Sequence, residues 1–159
     1  LESGSVADSL LSTDASYYLR FNEKNVFTAS VQGQHGFDLD LDHQLLLGGD
    51  TGLRGYPLRY QNGDTRALIS VEERYFTDWF PFRLVRVGGA VFADVGRTWG
   101  TAPLASEPQG WLTDVGFGLR LGNARSGLGN VLHMDLAFPI GASSDISSMQ
   151  VLLEAHKTF

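Results

Sequence analysis

Apolar and polar residues alternate with a period of two along most of this chain. The stretch "NVFTASVQGQ" (residues 25–34) places its bulky apolar side chains on one face and its Thr, Ser and Gln side chains on the other. Such alternation is typical of a β-strand, because successive side chains of a strand point to opposite faces. The pattern recurs in the stretches "ASYYLRF", "RALISVEERYF", "LVRVGGAVFADVGRTW", "WLTDVGFGLRLG", "VLHMDLAFPI" and "MQVLLEAHKTF". The sequence therefore predicts an all-β protein with about seven antiparallel strands, most of them ~10 residues long.

The two faces of these strands differ from those of a soluble sheet. The polar faces are rich in Gly, Ser, Thr and Gln, and charges are placed singly. Aromatic residues gather at strand ends: Tyr17, Tyr18, Tyr75, Phe76, Trp79, Trp99, Trp111 and Phe138. A transmembrane barrel needs strands of ~9–11 residues, a polar interior and aromatic girdles at both membrane interfaces. We therefore predict an antiparallel transmembrane β-barrel. A soluble β-sandwich or lipocalin-like barrel is the alternative.

Seven strands do not close a membrane barrel. Bacterial single-chain barrels have even strand numbers of about 8 or more, and lipid does not tolerate an open sheet edge. The chain also begins at Leu1, without an initiator Met or a signal-peptide pattern. We expect residues 1–159 to be the C-terminal part of a larger barrel domain whose other strands lie upstream.

Composition and motifs exclude several classes of function. The net charge of −6 argues against a nucleic-acid partner. The chain has no Cys, and its four His residues lack the spacing of metal ligands. No Ser lies in a G-x-S-x-G motif. The acidic run "DLDLDH" (residues 38–43) lacks the spacing of an EF-hand loop, although it could meet divalent ions at a lipopolysaccharide surface. The sequence predicts no catalytic site, no cofactor and no metal.

One connection is much longer than the others. Residues 35–66, "HGFDLDLDHQLLLGGDTGLRGYPLRYQNGDTR", join two predicted strands. Loops beyond ~12–15 residues are usually functional or disordered, and this one is too apolar for a solvated linker. We expect it to fold inward and pack in the barrel interior. Arg54 would then be desolvated and would need a partner.

Two carboxylates are candidates for that partner. Glu72 and Asp94 lie on the polar faces of the next two strands, and neighbouring antiparallel strands can present both to one point. A guanidinium can bind two carboxylates at once. Gly55 would permit a sharp turn, and Tyr56 would pack its ring while its hydroxyl finds a partner. The alternative is that Arg54 is a solvated loop residue.

The order of the motifs resembles a known family. "GGDTGLRGY" is followed by "ISVEERYF", "VFADVG" and "GFGLRL", and the chain ends in Phe159. Over residues 26–159 the chain is similar to the C-terminal half-barrel of the BamA/TamA-type superfamily, also called the bacterial surface antigen family. The resemblance implies a sixteen-stranded barrel in the outer membrane of a Gram-negative bacterium, which inserts outer-membrane proteins or secretes polypeptides.

The resemblance also implies roles for particular residues. The sixth extracellular loop of the family carries a (V/I)RG(F/Y) tip, and the matching residues here, with Leu for Val or Ile, are Leu53, Arg54, Gly55 and Tyr56. In the family the tip arginine bonds to inner-wall carboxylates in the next strand and in an F-x-D-x-G motif. The matching residues here are Glu72, Phe92, Asp94 and Gly96. Phe159 resembles the C-terminal signal that outer-membrane barrels present to their assembly machinery.

The resemblance leaves more than one function open. A polypeptide-handling barrel would have outer-membrane lipids, lipopolysaccharide and unfolded or secreted polypeptides as partners. Barrels that anchor a patatin-like lipase, with the hydrolase wholly upstream, and two-partner secretion pores with an N-terminal plug helix are the alternatives. None of these readings gives the present residues catalytic chemistry.

One residue does not fit the barrel pattern. Glu73 falls on the lipid-facing parity of its strand, where a carboxylate in the middle of the bilayer is costly. Tyr75 is close by in sequence. We therefore expect Glu73 either to lie at the membrane interface or to be displaced by a β-bulge.

Overall fold

β-strands make up most of the structure. A computed structural model of the chain describes residues 9–39, 43–81, 85–100, 110–123 and 130–157. The strands are β1 (Ser9–Arg20), β2 (Asn25–Phe37), β3 (Leu45–Leu47), β4 (Gln61–Gly63), β5 (Thr65–Phe76), β6 (Val85–Trp99), β7 (Leu112–Asn123), β8 (Asn130–Ile140) and β9 (Gln150–Lys157). Within the described residues, no helix has the length and apolar character of a membrane span.

Seven of the strands form one sheet. Their order is β1-β2-β5-β6-β7-β8-β9, and every neighbouring pair is antiparallel. Each strand of the sheet therefore lies beside the one that follows it in the chain. Among the described residues the sheet stays open, with β1 and β9 at its edges. The prediction of an all-β fold with about seven antiparallel strands is confirmed.

The two faces of the sheet have the chemistry that the alternation predicts. In β6 the buried residues lie on one face, here called the inner face, and are Gly88, Ala90, Phe92, Asp94, Gly96 and Thr98. The outer face is apolar and exposed. Its large exposed side chains include Val31, Ile69, Val91, Phe117, Leu119, Val151 and Leu153. A continuous face of exposed apolar side chains is what a lipid-facing barrel wall presents.

The ends of the sheet differ in the length of their connections. The longer connections, 38–64, 100–111 and 141–149, leave one end, and the shorter ones leave the other. In outer-membrane barrels the longer loops are extracellular and the short turns are periplasmic. Large exposed aromatic side chains flank both ends of the sheet: Phe21, Tyr75 and Trp79 at the short-turn end, and Phe37, Trp99 and Trp111 at the long-loop end.

The longest connection is shorter than the sequence suggested and has strands of its own. β2 continues to Phe37 and β5 begins at Thr65, so the connection covers 38–64 instead of 35–66. Within it, β3 and β4 pair to form a separate small sheet, and a 3-10 turn forms at Gly49–Thr51. We call residues 38–64 the inner loop, because the described part from residue 45 onward packs on the inner face of the large sheet.

A small hydrophobic core joins the inner loop to the sheet. Leu47, Leu53 and Tyr56 of the loop pack against Leu68 of β5 and Leu112 of β7. Leu47 and Leu53 are fully buried. Burying a side chain of this size stabilises a fold by roughly 1.5–3 kcal/mol. The apolar residues that made this segment unsuitable as a solvated linker are thus the ones that fix it to the sheet.

Glu73 lies in an uninterrupted part of β5. It pairs with Phe27 in β2 and with Val91 in β6, and the residues on either side of it keep the same register. The β-bulge considered for this position is therefore wrong. Glu73 lies close to the end of β5 at Phe76, as a carboxylate at the membrane interface would.

Candidate functional site

Arg54 lies on the inner face with three carboxylates around it. Its Nε and Nη2 donate to the two carboxylate oxygens of Asp94 at 2.8 and 3.1 Å. Its Nη1 donates to Glu72 Oε2 at 2.7 Å and to Asp135 Oδ2 at 3.1 Å. Glu72, Asp94 and Asp135 belong to β5, β6 and β8. One side chain of the inner loop therefore bonds to three strands of the sheet.

The surroundings of Arg54 keep it charged. Its side chain is only 13% exposed. Burial by itself lowers the pKa of Arg54, but the hydrogen bonds and charges of Asp94 and Glu72 outweigh this effect and hold the pKa above its ordinary value. A guanidinium with bidentate carboxylate bonds is among the stronger charge-assisted contacts in proteins. Arg54 is thus not a solvated loop residue.

The F-x-D-x-G residues of β6 lie against the inner loop. The guanidinium carbon of Arg54 lies 3.4 Å from the centre of the Phe92 ring, within cation–π range. A Cβ atom at Gly96 would lie 3.1 Å from Leu47 Cδ2 and 3.2 Å from Leu68 Cδ1. Phe92 therefore contacts the charged tip of the loop, and Gly96 leaves room for the apolar part of the loop.

Gly55 lies in a turn, as the sequence suggested, and also has a spatial role. The backbone N–H of Tyr56 donates to Leu53 O at 3.1 Å, so Arg54 and Gly55 are the central residues of this turn. Of its neighbours, Gly52 and Leu53 have positive φ values, but Gly55 does not. A Cβ atom at Gly55 would lie 2.6 Å from Asp114 Cβ and 3.0 Å from Pro139 N. The Gly55 N–H donates to Asp114 Oδ2 at 2.9 Å. The expected turn is therefore present without a positive φ at Gly55, and the missing side chain also lets the loop tip touch β7 and β8.

Leu53 and Tyr56 hold the loop tip on the sheet. Leu53 is fully buried in the hydrophobic core, although its φ of 60° is uncommon for a residue with a side chain. The Tyr56 ring packs in the same core, and its hydroxyl lies 3.3 Å from Thr113 O and 3.4 Å from Ile140 O. Burial raises the pKa of Tyr56, so the hydroxyl keeps its proton and can donate to either carbonyl.

Three further charged residues belong to the site, and the sequence analysis assigned no role to them. Arg120 in β7 is fully buried and donates to both Glu72 and Asp135. Asp135 in β8 is 2% exposed, and Asp114 in β7 is fully buried against Gly55. All three are single charges on the polar faces of predicted strands. Their position on the polar faces is the sequence signal that could have identified them as members of the site.

The buried charges that bond to one another form a defined group. We call Arg54, Glu72, Asp94, Arg120 and Asp135 the ion-pair cluster. Its members come from the inner loop and from β5, β6, β7 and β8. Removing one partner from a buried pair is strongly destabilising, because the remaining charge stays buried without compensation. The cluster therefore makes the position of the loop tip depend on all four strands.

A second set of contacts fixes the inner loop away from its tip. Gln61 Oε1 accepts a hydrogen bond from Thr98 N at 3.0 Å, and Gln61 Nε2 donates to Gly110 O at 3.4 Å. Arg66 Nη2 donates to Thr51 O at 2.5 Å. The backbone pairing of β6 with β7 ends at Gly96 and Leu112. Beyond that point the Gln61 amide connects Thr98 of β6 to Gly110, just before β7.

We predict that Asp114→Asn leaves the barrel as stable as before or makes it more stable. Asp114 is paired directly with Asp94, and its buried Oδ1 has no hydrogen-bond partner among the described residues. An Asn oxygen can still accept from Gly55, while its amide can donate toward Asp94, and the repulsion between two neighbouring carboxylates disappears. The urea midpoint of the full-length protein in detergent measures this. A midpoint well below that of the unaltered protein would contradict the prediction.

Fold and site together define a class of protein. An antiparallel sheet with an apolar outer face, a polar inner face and aromatic residues at both ends is the wall of an outer-membrane β-barrel. The family model of the Omp85 superfamily domain matches residues 4–150 of the chain. The chain therefore belongs to the Omp85 superfamily, and its open sheet is part of a barrel. The resemblance drawn from the motifs is confirmed at the level of the superfamily.

Superfamily membership sets the general function. Omp85 proteins are outer-membrane proteins of Gram-negative bacteria and organelles, and they act on polypeptide clients as assembly or transport factors. Comparison with curated proteins finds no match. Among the described residues, no group of His, Asp and Glu side chains is arranged to hold a metal ion. Phe159, the predicted C-terminal signal, lies outside the described residues, as does part of the acidic run 38–43.

Proposed function

We propose that this chain forms the C-terminal wall of an outer-membrane barrel that inserts outer-membrane proteins or translocates polypeptides, and that Arg54 tethers the inner loop inside that barrel. The tether rests on one observation, the bonds from a single loop guanidinium to carboxylates on β5, β6 and β8. Superfamily membership supports polypeptides as the clients. Lipids of the outer membrane are the partners of the apolar outer face, and lipopolysaccharide meets the extracellular loops.

The tether acts by coupling strands that could otherwise slide past one another. A bidentate arginine–carboxylate bond fixes angles as well as distances. Since Arg54 bonds to β5, β6 and β8 together, a shift of any of these strands breaks charge-assisted hydrogen bonds. Among the described residues, its hydrogen bonds reach β5, β6 and β8 but not β1, β2 or β9. The wall from β5 to β8 therefore moves as one body. Polypeptide clients would then act on the strands of the barrel that do not belong to this wall.

Reconstitution of the full-length protein into liposomes tests the function. An outer-membrane barrel unfolded in urea is added, and its conversion to a protease-resistant, heat-modifiable form is followed. We expect conversion several-fold faster than in empty liposomes for an insertase. A secretion pore would instead protect a soluble polypeptide from external protease. Failure of both assays, together with hydrolysis of a phospholipid ester by the same preparation, would replace this proposal with that of a lipase anchor.

We predict that Asp94→Asn weakens the tether without abolishing it. Asp94 is 2% exposed, and it accepts two hydrogen bonds from Arg54 and one from Ser70 Oγ. An amide keeps one acceptor oxygen but loses the charge, so we expect a loss of roughly 1–3 kcal/mol in the free energy of unfolding. The urea midpoint measures it, with Asp78→Asn in an exposed turn as the control. Equal midpoints for the two variants would count against the tether.

A further inference from the structure

Two arginines share the same two carboxylates at the centre of the site. Arg120 Nε donates to Glu72 Oε1 at 3.1 Å, and Arg120 Nη2 lies 3.0 Å from Glu72 Oε2. Arg120 Nη1 and Nη2 donate to the two oxygens of Asp135, the latter at 3.3 Å. Glu72 Oε2 and Asp135 Oδ2 are also the atoms that Arg54 contacts. Arg120 therefore fixes the same oxygen atoms to which the loop tip binds.

Small residues let Arg120 reach across the sheet to do this. Glu72 is in β5 and Arg120 is in β7, with β6 between them. The residue of β6 that pairs with Arg120 is Gly88, so no side chain there blocks the path. A Cβ atom at Gly118 would overlap Asp135 Oδ1 and would lie 3.0 Å from Arg120 Nη1. The local sequence thus leaves space for one long cation at this place.

We propose that Arg120 is a positioning residue that holds Glu72 and Asp135 in place to receive Arg54. The proposal rests on the tether proposed above. Two buried carboxylates repel each other. A cation that bonds to both is needed to keep them close together and facing the position of the Arg54 guanidinium. Arg120 is fully buried and belongs to the sheet, so it can order these carboxylates before the inner loop docks. Arg54 then completes a receptor that the sheet has already formed.

Arg74 provides a matched control for Arg120. Its Nε also donates to Glu72, to Oε1 at 2.6 Å. Its side chain is 31% exposed, whereas that of Arg120 is 0% exposed. None of the described contacts of Arg74 reaches Asp135, so it bonds to one of the two carboxylates and bridges nothing. Loss of Arg74 removes a charge near Glu72 but leaves the bridge intact.

The test measures release of the inner loop from a barrel that stays folded. The chain has no cysteine of its own, so a single Leu47→Cys serves as reporter in full-length protein free of other cysteines. Leu47 is a fully buried residue of the inner loop, whereas Leu58 in the same loop is 65% exposed. Leu58→Cys is the always-accessible reference for the maleimide. Heat-modifiability on gels shows for each variant that the barrel is folded when labelling is measured.

The expected results separate positioning from mere stability. Arg120→Met should speed maleimide labelling of the Leu47→Cys reporter by about tenfold or more, as expected when charge-assisted bonds to a buried group are lost. Arg74→Met should change it by less than about twofold. Adding Arg54→Ala to Arg120→Met should release the loop no further than Arg54→Ala alone, because Arg120 acts through the carboxylates that Arg54 uses.

The outcomes distinguish failure of this inference from failure of the tether. If Arg54→Ala alone does not speed labelling, the tether itself is wrong. If Arg54→Ala speeds labelling and Arg120→Met does no more than Arg74→Met, only the role of Arg120 is overturned. Should Arg120→Met not fold, Arg120→Lys takes its place, since an ammonium keeps the charge but lacks the fork that bridges two carboxylates. We expect intermediate labelling for Arg120→Lys, and labelling equal to that of the unaltered chain would overturn the bridge.

Discussion

Glu72→Gln is expected to lower the free energy of unfolding of the full-length barrel by roughly 3–5 kcal/mol, as expected when a buried charge loses its partner. Glu72 is 5% exposed and accepts hydrogen bonds from Arg54, Arg74 and Arg120. Glutamine removes the negative charge that these arginines share. Its amide N–H₂ would also face donors that cannot accept its hydrogen bonds. The substitution therefore leaves buried cations without compensation.

The neighbouring residue supplies the control for this prediction. Glu73 has the same chemistry and lies one position further along β5, on the outer face. Glu73→Gln removes a carboxylate from a surface that faces lipid, so it should leave stability unchanged or raise it. Urea unfolding of both variants in detergent, followed by tryptophan fluorescence, measures the difference. Similar midpoints for Glu72→Gln and Glu73→Gln would contradict the central position of Glu72.

Arg54→Ala is expected to lower the amount of folded, heat-modifiable barrel in the membrane. The substitution leaves Glu72, Asp94 and Asp135 buried on the inner face, each with at least one bond fewer. Breaking a buried pair from one side costs roughly 3–5 kcal/mol. Phe92 loses its cation–π partner as well. The result should be a loop that leaves the inner face and a barrel that assembles poorly.

A second arginine of the same loop provides the control for Arg54. Arg59 is exposed, so Arg59→Ala should leave the yield of folded barrel unchanged. Arg54→Lys keeps the charge but not the planar fork, and we expect a yield between those of Arg54→Ala and the unaltered protein. The measurement compares folded and unfolded bands of membrane fractions on gels without and with heating. Normal assembly of Arg54→Ala would remove the main support for the tether.

The buried charges of this site contribute more to positioning the loop tip than to the net stability of the barrel. Desolvation of several ions costs most of what their attraction returns, so such a cluster is weak evidence for a more stable barrel. Instead, the cluster fixes the position of the loop tip, because Arg54 forms all its ion pairs only where Glu72, Asp94 and Asp135 converge. The apolar contacts of Leu47 and Leu53 hold the loop on the sheet less specifically.

The sequence predicted Glu72 and Asp94 as partners of Arg54 for a reason that the structure makes plain. Both lie on the inner face of strands that follow the loop directly, so parity and proximity along the chain select them. Arg120 and Asp135 have the same parity, but their relation to Arg54 depends on how far a side chain reaches across β6. The turn at Gly55 was predicted, but its close approach to Asp114 was not, because Asp114 is distant in sequence.

By itself, the sequence determined the strands, their two faces, the superfamily and the loop that carries Arg54. These follow from alternation and motif order, which are properties of neighbouring residues along the chain. Only the tertiary structure decided that Asp135 joins the carboxylates around Arg54, that Arg120 bridges Glu72 and Asp135, and that β3 and β4 give the inner loop its own small sheet. The physical reason is that such contacts depend on register between strands and on the space left by glycines, which alternation within one strand does not encode.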